Sequence, residues 1–274
     1  MEITPDEFMV ISIARQIKDG EVVAQGLATP LVTAGYILAR LTHAPHLYFV
    51  SAIGQSMCRN PAPLSVSHIE SLWLDQSLTN IGFVGAACDF LPDLQPKEFF
   101  RPAQMDPQGN FNNIAFGKEY LPSGGRQVRL RLPGTGGIPD VTTYSNKIYL
   151  YVPRHSRLTF VPKLDVCSGL GYSDQRRRGH GPRYLVTDLG QFDFFNGRMR
   201  LITYHPHSTI TQIQARTGFE LEITPEVCAT PPPDEYELHL LRHEIDPLGI
   251  RRLELLSGAE RRQLLSQILE QEQL

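Results

Sequence analysis

The text of residues 5–53 constrains the fold most, because it alternates helix and strand signals twice in quick succession. Thr4 can cap a helix, Pro5 suits its first turn, and Glu7 can return the capping bond. Met9, Ile13, Ala14 and Ile17 then recur at helical spacing, with Gly20 as the expected stop. Glu21 to Gln25 (EVVAQ) reads as a buried strand. Thr29 and Pro30 open a second helix carrying Leu31, Ala34, Ile37, Leu38 and Leu41, which His43 to Pro45 ends. Leu47 to Ile53 reads as a second apolar strand. Helix and strand in strict alternation bury their apolar faces best as an open α/β fold, a mostly parallel sheet with helices on both faces. A chain of 274 residues has room for one large or two modest domains and needs no disulfide staples. The reading is a single α/β domain over residues 1–250, followed by an amphipathic helical tail over 251–274.

Past the second strand the signals are mixed. Gly54 to Ser67 is polar and broken by proline, which predicts a long loop, and Ile81 to Ala87 reads as strand or turn. Phe99 to Met105 leads into a turn built from Asp106, Pro107, Gly109 and Asn110. Lys147 to Val152 and Arg157 to Val161 read as strands. Tyr184 to Thr187 and Arg198 to Tyr204 flank two turns with a short strand between, a late β-hairpin. Thr209 to Thr217 and Asp234 to His243 read as helices, joined by the stiff connector TPPPD at 230–234.

Chemistry concentrates in Pro133 to Ser145, PGTGGIPDVTTYS. Gly134, Gly136 and Gly137 lie between strand-like VRLRL and VTTYS, which can open a helix. Glycine clusters serve positive φ angles or close ligand approach. Such a turn points backbone N–H groups into one space, suited to a phosphate or a thioester oxyanion. No G-K-[ST] follows it and the spacing is not G-x-G-x-x-G, so neither a P-loop nor a dinucleotide fingerprint is present.

Other classes are disfavoured. The formal net charge of −3 offers no basic field for nucleic acid or for a membrane surface. Cys58, Cys88, Cys167 and Cys228 are far apart, with neither zinc spacing nor a disulfide framework, which fits a reducing cytoplasm. MEITPDEF lacks the basic start of a signal peptide, and no apolar run reaches the length of a spanning helix. His205 and His207 alternate around Pro206, but no third ligand accompanies them, so no metal is expected. Arg176 to Arg178, with His180 and Arg183 nearby, form a solvated basic loop or a clamp for the phosphates of a nucleotide-like cofactor.

Taken together, several segments resemble the beta-type subunit of family I coenzyme A-transferases, the glutaconate type in particular. AQMDPQGNFN (103–112) is similar to that family's A-Q-[IV]-D-x-x-G-N-x-N segment, and Gly134 to Gly137 with Thr143-Tyr144-Ser145 to its glycine loop. LVTDLG (185–190) with Asp193-Phe194 resembles its late hairpin, and Thr217-Gly218-Phe219 and Ile245-Asp246-Pro247 also match. The likeness runs over about residues 8–250. It implies an open α/β sheet, an alpha-type partner subunit in a heterodimer or a heterotetramer of two pairs, and chemistry on an acyl-CoA thioester. Coenzyme A would then be part of the substrate, with no tightly bound cofactor. It further implies oxyanion donors at Gly136 and Gly137, and substrate or CoA contacts at Gln104, Asn112 and Gly134.

One departure governs the expected reaction. The ordinary transferases attack the thioester with a glutamate after the second strand. Aligned on Gly54, Ala52 takes that place, and no residue from Phe49 to Asn60 is acidic. Cys58 is read as a plain loop cysteine. DVCSGLGY (165–172) resembles a stretch of the ring-cleaving hydrolase branch that has lost this glutamate, and the N-terminal 14–45 is similar to a decarboxylase branch. The resemblance therefore implies hydrolysis or C–C cleavage (ring-opening of a cyclic-ketone acyl-CoA, or decarboxylation), with a general base from the partner or a water. A true transferase with its carboxylate supplied elsewhere is the first alternative, and a non-catalytic stabiliser of the alpha-type partner the second.

Overall fold

The computed structural model describes residues 2–26, 29–52, 55–120, 126–174 and 176–273. The chain divides into two compact units, residues 1–99 with 231–274, and residues 100–230.

In the first unit β1 (Val22–Gln25) lies between β2 (Tyr48–Ser51) and β5 (Lys97–Phe100), parallel to both. β3 (Ser56–Cys58) and β4 (Ser77–Asn80) continue beyond β2 in antiparallel pairings. The strand order is β5-β1-β2-β3-β4, so the chain runs outward from β1 to β4 and then returns to place β5 on the other side of β1. Past its acidic first turn, helix α1 (Pro5–Ala14) is apolar except for Ser12 and is buried from Phe8 to Ala14, as a helical stretch without a polar face must be. The capping reading holds at its start, where Thr4 N donates to Glu7 Oε2 at 2.9 Å. The helix ends at Ala14, before Gly20, because the backbone tightens into i→i+3 bonds at Gln16 and Ile17. Helix α2 (Pro30–Thr42) crosses α1 closely: a Cβ on Gly35 would sit 2.6 Å from Ile13 Cγ2.

Two expectations fail in this unit. The long loop expected over 54–67 contains β3, whose backbone closes a hairpin onto β2; Gly54 itself lies outside the described residues. The strand or turn expected over 81–87 belongs instead to a helical segment, 83–94, which follows a second unforeseen helix, Ile69–Asp75. Short apolar runs carry no period that separates strand from helix.

Salt bridges knit the ends of this unit together. Arg251, buried, pairs with Asp6 at 2.7 Å and Asp246 at 2.9 Å, and Arg242 with Glu7 at 2.5 Å. The C-terminal helix Gly258–Glu272 buries Ile268 against Ile250 and Leu253. The helix from Asp234 is present, with Asp234 Oδ1 accepting Glu237 N at 2.7 Å, and it covers Glu235–His239 before widening over 240–245.

In the second unit, β6 (Gln104–Met105) pairs with β7 (Phe111–Asn112), and β8 (Ala115–Tyr120) with β9 (Arg126–Arg131). β10 (Ile148–Val152) is parallel to β11 (Tyr184–Thr187). β11, β12 (Gly190–Phe195) and β13 (Arg198–Tyr204) form the expected hairpin text as an antiparallel meander. β14 (Glu222–Ala229), which the sequence did not suggest, pairs in parallel with β13. Residues 157–161 form a turn with a single bridge from Phe160 to Met105, not a strand. The core is built from Met105, Phe111, Leu150, Phe160, Leu185 and Phe192 with their neighbours. Ile210–Arg216 is the expected helix, with Thr209 Oγ1 accepting Gln212 N. The open α/β sheet read from the sequence is thus present.

Candidate functional site

The glycine loop takes the form the sequence predicts. Gly134, Gly136 and Gly137 have φ of +117°, +52° and +94°, a region that side chains with a Cβ rarely adopt. A Cβ on any of the three would meet nothing within 4 Å, so the requirement is conformational and the loop borders open space. Helix Ile138–Tyr144 begins directly after Gly137, whose carbonyl accepts the N–H groups of Asp140 and Val141 at 3.1 Å. The N–H groups of Gly136 and Gly137 donate to no described residue. Gly134 lines a cavity of about 480 Å³ together with Arg101, Asn113, Phe116, Pro133 and Arg154, among others. Two arginines make that cavity hospitable to an anion.

Gln104 and Asn112 come together, but facing inward. Asn112 is fully buried; its Nδ2 donates to Gln104 Oε1 at 2.8 Å and Ala115 O at 2.7 Å, and its Oδ1 accepts Ile114 N at 2.9 Å. Gln104 Nε2 donates to Asp165 Oδ2 at 2.9 Å, which also accepts Gly117 N at 3.0 Å. Asn112 therefore has no polar atom left for a ligand, and the pair holds β6, β7 and residue 165 in place.

The neighbouring turn works the same way. Asp106 Oδ1 accepts Gln108 N and Asn110 N at 3.0 and 2.9 Å, while Gly171 N donates to Asn110 Oδ1 at 2.8 Å. Gly171 is obligatory, since a Cβ there would lie 2.3 Å from three backbone atoms of residues 108–110. The stretches 103–112 and 165–172 are thus clamped to each other.

The remaining sequence candidates are structural. His205 is buried, with Nδ1 3.1 Å from Thr230 Oγ1 and Nε2 3.0 Å from Thr187 O. Burial depresses its pKa to about 3. His207 Nε2 lies 2.7 Å from Asp188 O, and the described residues contain no metal-binding group of three or more His, Cys, Asp or Glu. Arg176 donates to Gly171 O, Leu170 O and Arg178 O, so it ties its own loop together. Cys58 is buried in β3, where burial raises its pKa and keeps it a thiol.

The end of β2 is where sequence reasoning sought the family nucleophile. Ala52 leaves the strand in a turn, its N–H donating to Gln25 O at 3.0 Å. Ser51 beside it is buried, and Ser51 Oγ, Gln25 Oε1 and Thr29 Oγ1 find no hydrogen-bond partner among the described residues. One group went unremarked in the sequence: Glu98, on β5, in register with Ala24 of β1. It is half-buried, and desolvation pushes its carboxyl up to about 7. A signal was present, since a carboxylate inside the strand text KEFF of a central strand is out of place unless paired or used.

Fold and sequence define the class together. The chain is 32% identical over 263 residues to the second, beta-type subunit of glutaconate CoA-transferase from Acidaminococcus fermentans, covering 89% of this chain and 93% of that one. The protein belongs to the CoA-transferase family, among its beta-type subunits. It is also 28% identical over 263 residues to the cholesterol ring-cleaving hydrolase IpdB subunit of Rhodococcus jostii, covering 93% of this chain and 97% of that one. Among solved structures it superposes on the decarboxylase AibA/AibB with a TM-score of 0.78 and 31% identity, over 91% of this chain and 98% of the other. Glutaconate coenzyme A-transferase of A. fermentans matches with a TM-score of 0.77 and 26% identity, over 94% and 99%. No family model matches the chain.

Proposed function

We propose that this chain is the beta-type subunit of a heteromeric enzyme that hydrolyses an acyl-CoA or cleaves a C–C bond in its acyl group, rather than exchanging CoA between acids. The observation that carries the reading is Ala52 at the end of β2, with no acidic residue from Phe49 to Asn60. An alanine cannot form the acyl-enzyme anhydride on which ping-pong transfer depends. Relatives described as a ring-cleaving hydrolase and a decarboxylase support the same direction. In this reading Gly136 and Gly137 present their N–H groups to the carbonyl oxygen that gains charge, and one such donor is worth about 3–4 kcal/mol in the transition state. The cavity beside Gly134, with Arg101 and Arg154, takes a phosphate or carboxylate of the acyl-CoA. Coenzyme A enters as part of the substrate.

The partner is an alpha-type subunit. Leu74, Leu78, Phe83, Val84 and Phe90 lie close in sequence and are 45–73% exposed. Apolar side chains left exposed within one stretch of chain suit a protein–protein contact surface. The assembly proposed is a heterotetramer of two pairs.

Incubating the complex with an acyl-CoA panel in the presence of hydroxylamine or borohydride tests the reaction type. Free thiol, CO₂ or a ring-opened acid still joined to CoA should appear, and no carboxylate of this chain should be labelled. A labelled carboxylate returns the protein to true transfer, with the nucleophile supplied from another position.

A further inference from the structure

We infer, on the acyl-CoA reading above, that Arg154 selects the acyl group: its guanidinium pairs with a second carboxylate on the acyl chain and not with a phosphate of coenzyme A. That reading admits either anion at the cavity beside Gly134, and chain length separates them.

Arg154 stands on a rigid base. It follows β10, whose last residue Val152 is buried, and Pro153 ahead of it is buried as well. On its other side His155 N donates to Asp188 Oδ1 at 2.7 Å, and the His155 ring stacks on Phe160 with centroids 4.0 Å apart. The backbone at 153–155 is thus held from both directions. The Arg154 side chain leaves it exposed, with no partner among the described residues. A cation already fixed at its base and not neutralised by its own chain binds an anion at little ordering cost.

The cavity that Arg154 borders suits a short acyl chain with a charged end. Phe116, Leu132 and Val152 give it apolar sides. Asn113, also in its wall, is engaged elsewhere: its Oδ1 accepts Ala103 N at 2.8 Å, and its Nδ2 donates to Arg101 O at 3.1 Å. The described lining residues include Arg101 and Arg154 and no Asp or Glu. A guanidinium offers a carboxylate two parallel N–H donors, which makes the pairing both strong and selective.

Length decides which anion arrives. Gly134 lines the cavity, and the proposed oxyanion donors Gly136 and Gly137 follow directly in the chain, so Gly136 Cα lies at most about 7 Å from Gly134 Cα. In coenzyme A about 13 bonds separate the thioester sulfur from the nearest phosphorus, roughly 15 Å when extended. A rounded cavity of about 480 Å³ is only roughly 10 Å across. With the thioester carbonyl at Gly136 and Gly137, the extended arm carries the phosphates past the cavity. A carboxylate about four or five carbons from the sulfur ends inside it. The substrate class is an acyl-CoA whose acyl chain carries a second carboxylate.

The experiment measures calorimetric binding to the complex with its partner, using CoA, S-pentyl-CoA and S-(4-carboxybutyl)-CoA, thioethers that cannot turn over. Wild type should bind the carboxylated thioether at least about 10-fold more tightly than the pentyl one. Arg154→Gln, folded and assembled by circular dichroism and gel filtration, should lose that preference. Arg154→Lys keeps a cation without the paired donors, so it should retain only part of the preference, and it reads the same quantity if the glutamine variant does not assemble. An equal loss of affinity for all three probes puts Arg154 on a phosphate and overturns the inference while the acyl-CoA reading stands. Wild type without the preference does the same. Wild type that binds none of the probes removes the acyl-CoA reading and the inference with it.

Discussion

Replacing Glu98 by Gln should stabilise the protein, and by an amount that depends on pH. The carboxyl titrates at about 7 in the fold against a model value of 4.5, with desolvation as the cause. A shift of about 2.5 units corresponds to about 3 kcal/mol, an upper figure because the side chain is only half-buried. Below pH 4.5 the group is neutral in both states and costs nothing extra. Between pH 4.5 and 7 the unfolded chain ionises while the fold keeps the proton, so wild-type stability falls as pH rises. Above 7 the penalty is complete. Glutamine never ionises, so Glu98→Gln should match wild type at pH 4 and exceed it by up to about 3 kcal/mol at pH 8, an increase in Tm of roughly 6–12 °C. Thermal and urea melts of both proteins at the two pH values measure this directly. An equal difference at pH 4 and pH 8, or a variant less stable at pH 8, would refute the reasoning.

Other outcomes follow from the same geometry. Gly35→Ala places a Cβ 2.6 Å from Ile13 Cγ2 and should cost about 1–3 kcal/mol in urea melts by forcing α1 and α2 apart. Arg251→Met leaves Asp6 and Asp246 buried without their cation and should cost about 3–5 kcal/mol; a neutral result would mean that the cluster is dispensable. His155 and His205 are held neutral by burial, with pKa values lowered from 6.5 to about 3. The unfolded chain therefore takes up protons first as pH falls from 6.5 to 3, and stability should fall over that window by about 1.4 kcal/mol per pH unit for each histidine. His205→Gln should remove one such slope from the denaturation profile. Gly137→Val forces a β-branched residue to φ +94° and should abolish turnover of the complex; unchanged turnover would favour a non-catalytic role for the chain.

Much of the fold was legible in the sequence because periodicity and caps are local. The Thr4–Glu7 capping bond, α2, β1, the Asp106 turn, the hairpin at 187–204 and the positive φ angles of the glycine loop all follow from residues within a few positions of each other. Strands β3, β4 and β14 were missed because a strand exists only through a neighbour that the local text does not contain. The site divides along the same line. The glycines announced their backbone geometry, since only glycine tolerates it. The roles of Gln104 and Asn112 could not be read, because hydrogen bonds to Asp165 and to the backbone decide whether an amide faces a ligand or the interior. Glu98 looked like any strand glutamate until the sheet order set it beside Gly26 at the carboxyl end of β1. The sequence by itself determined the family, the positive φ angles of the loop and the absence of any acidic residue from Phe49 to Asn60. Only the tertiary structure decided that the Glu98 carboxyl is desolvated, because desolvation depends on everything packed around a group and not on its neighbours along the chain.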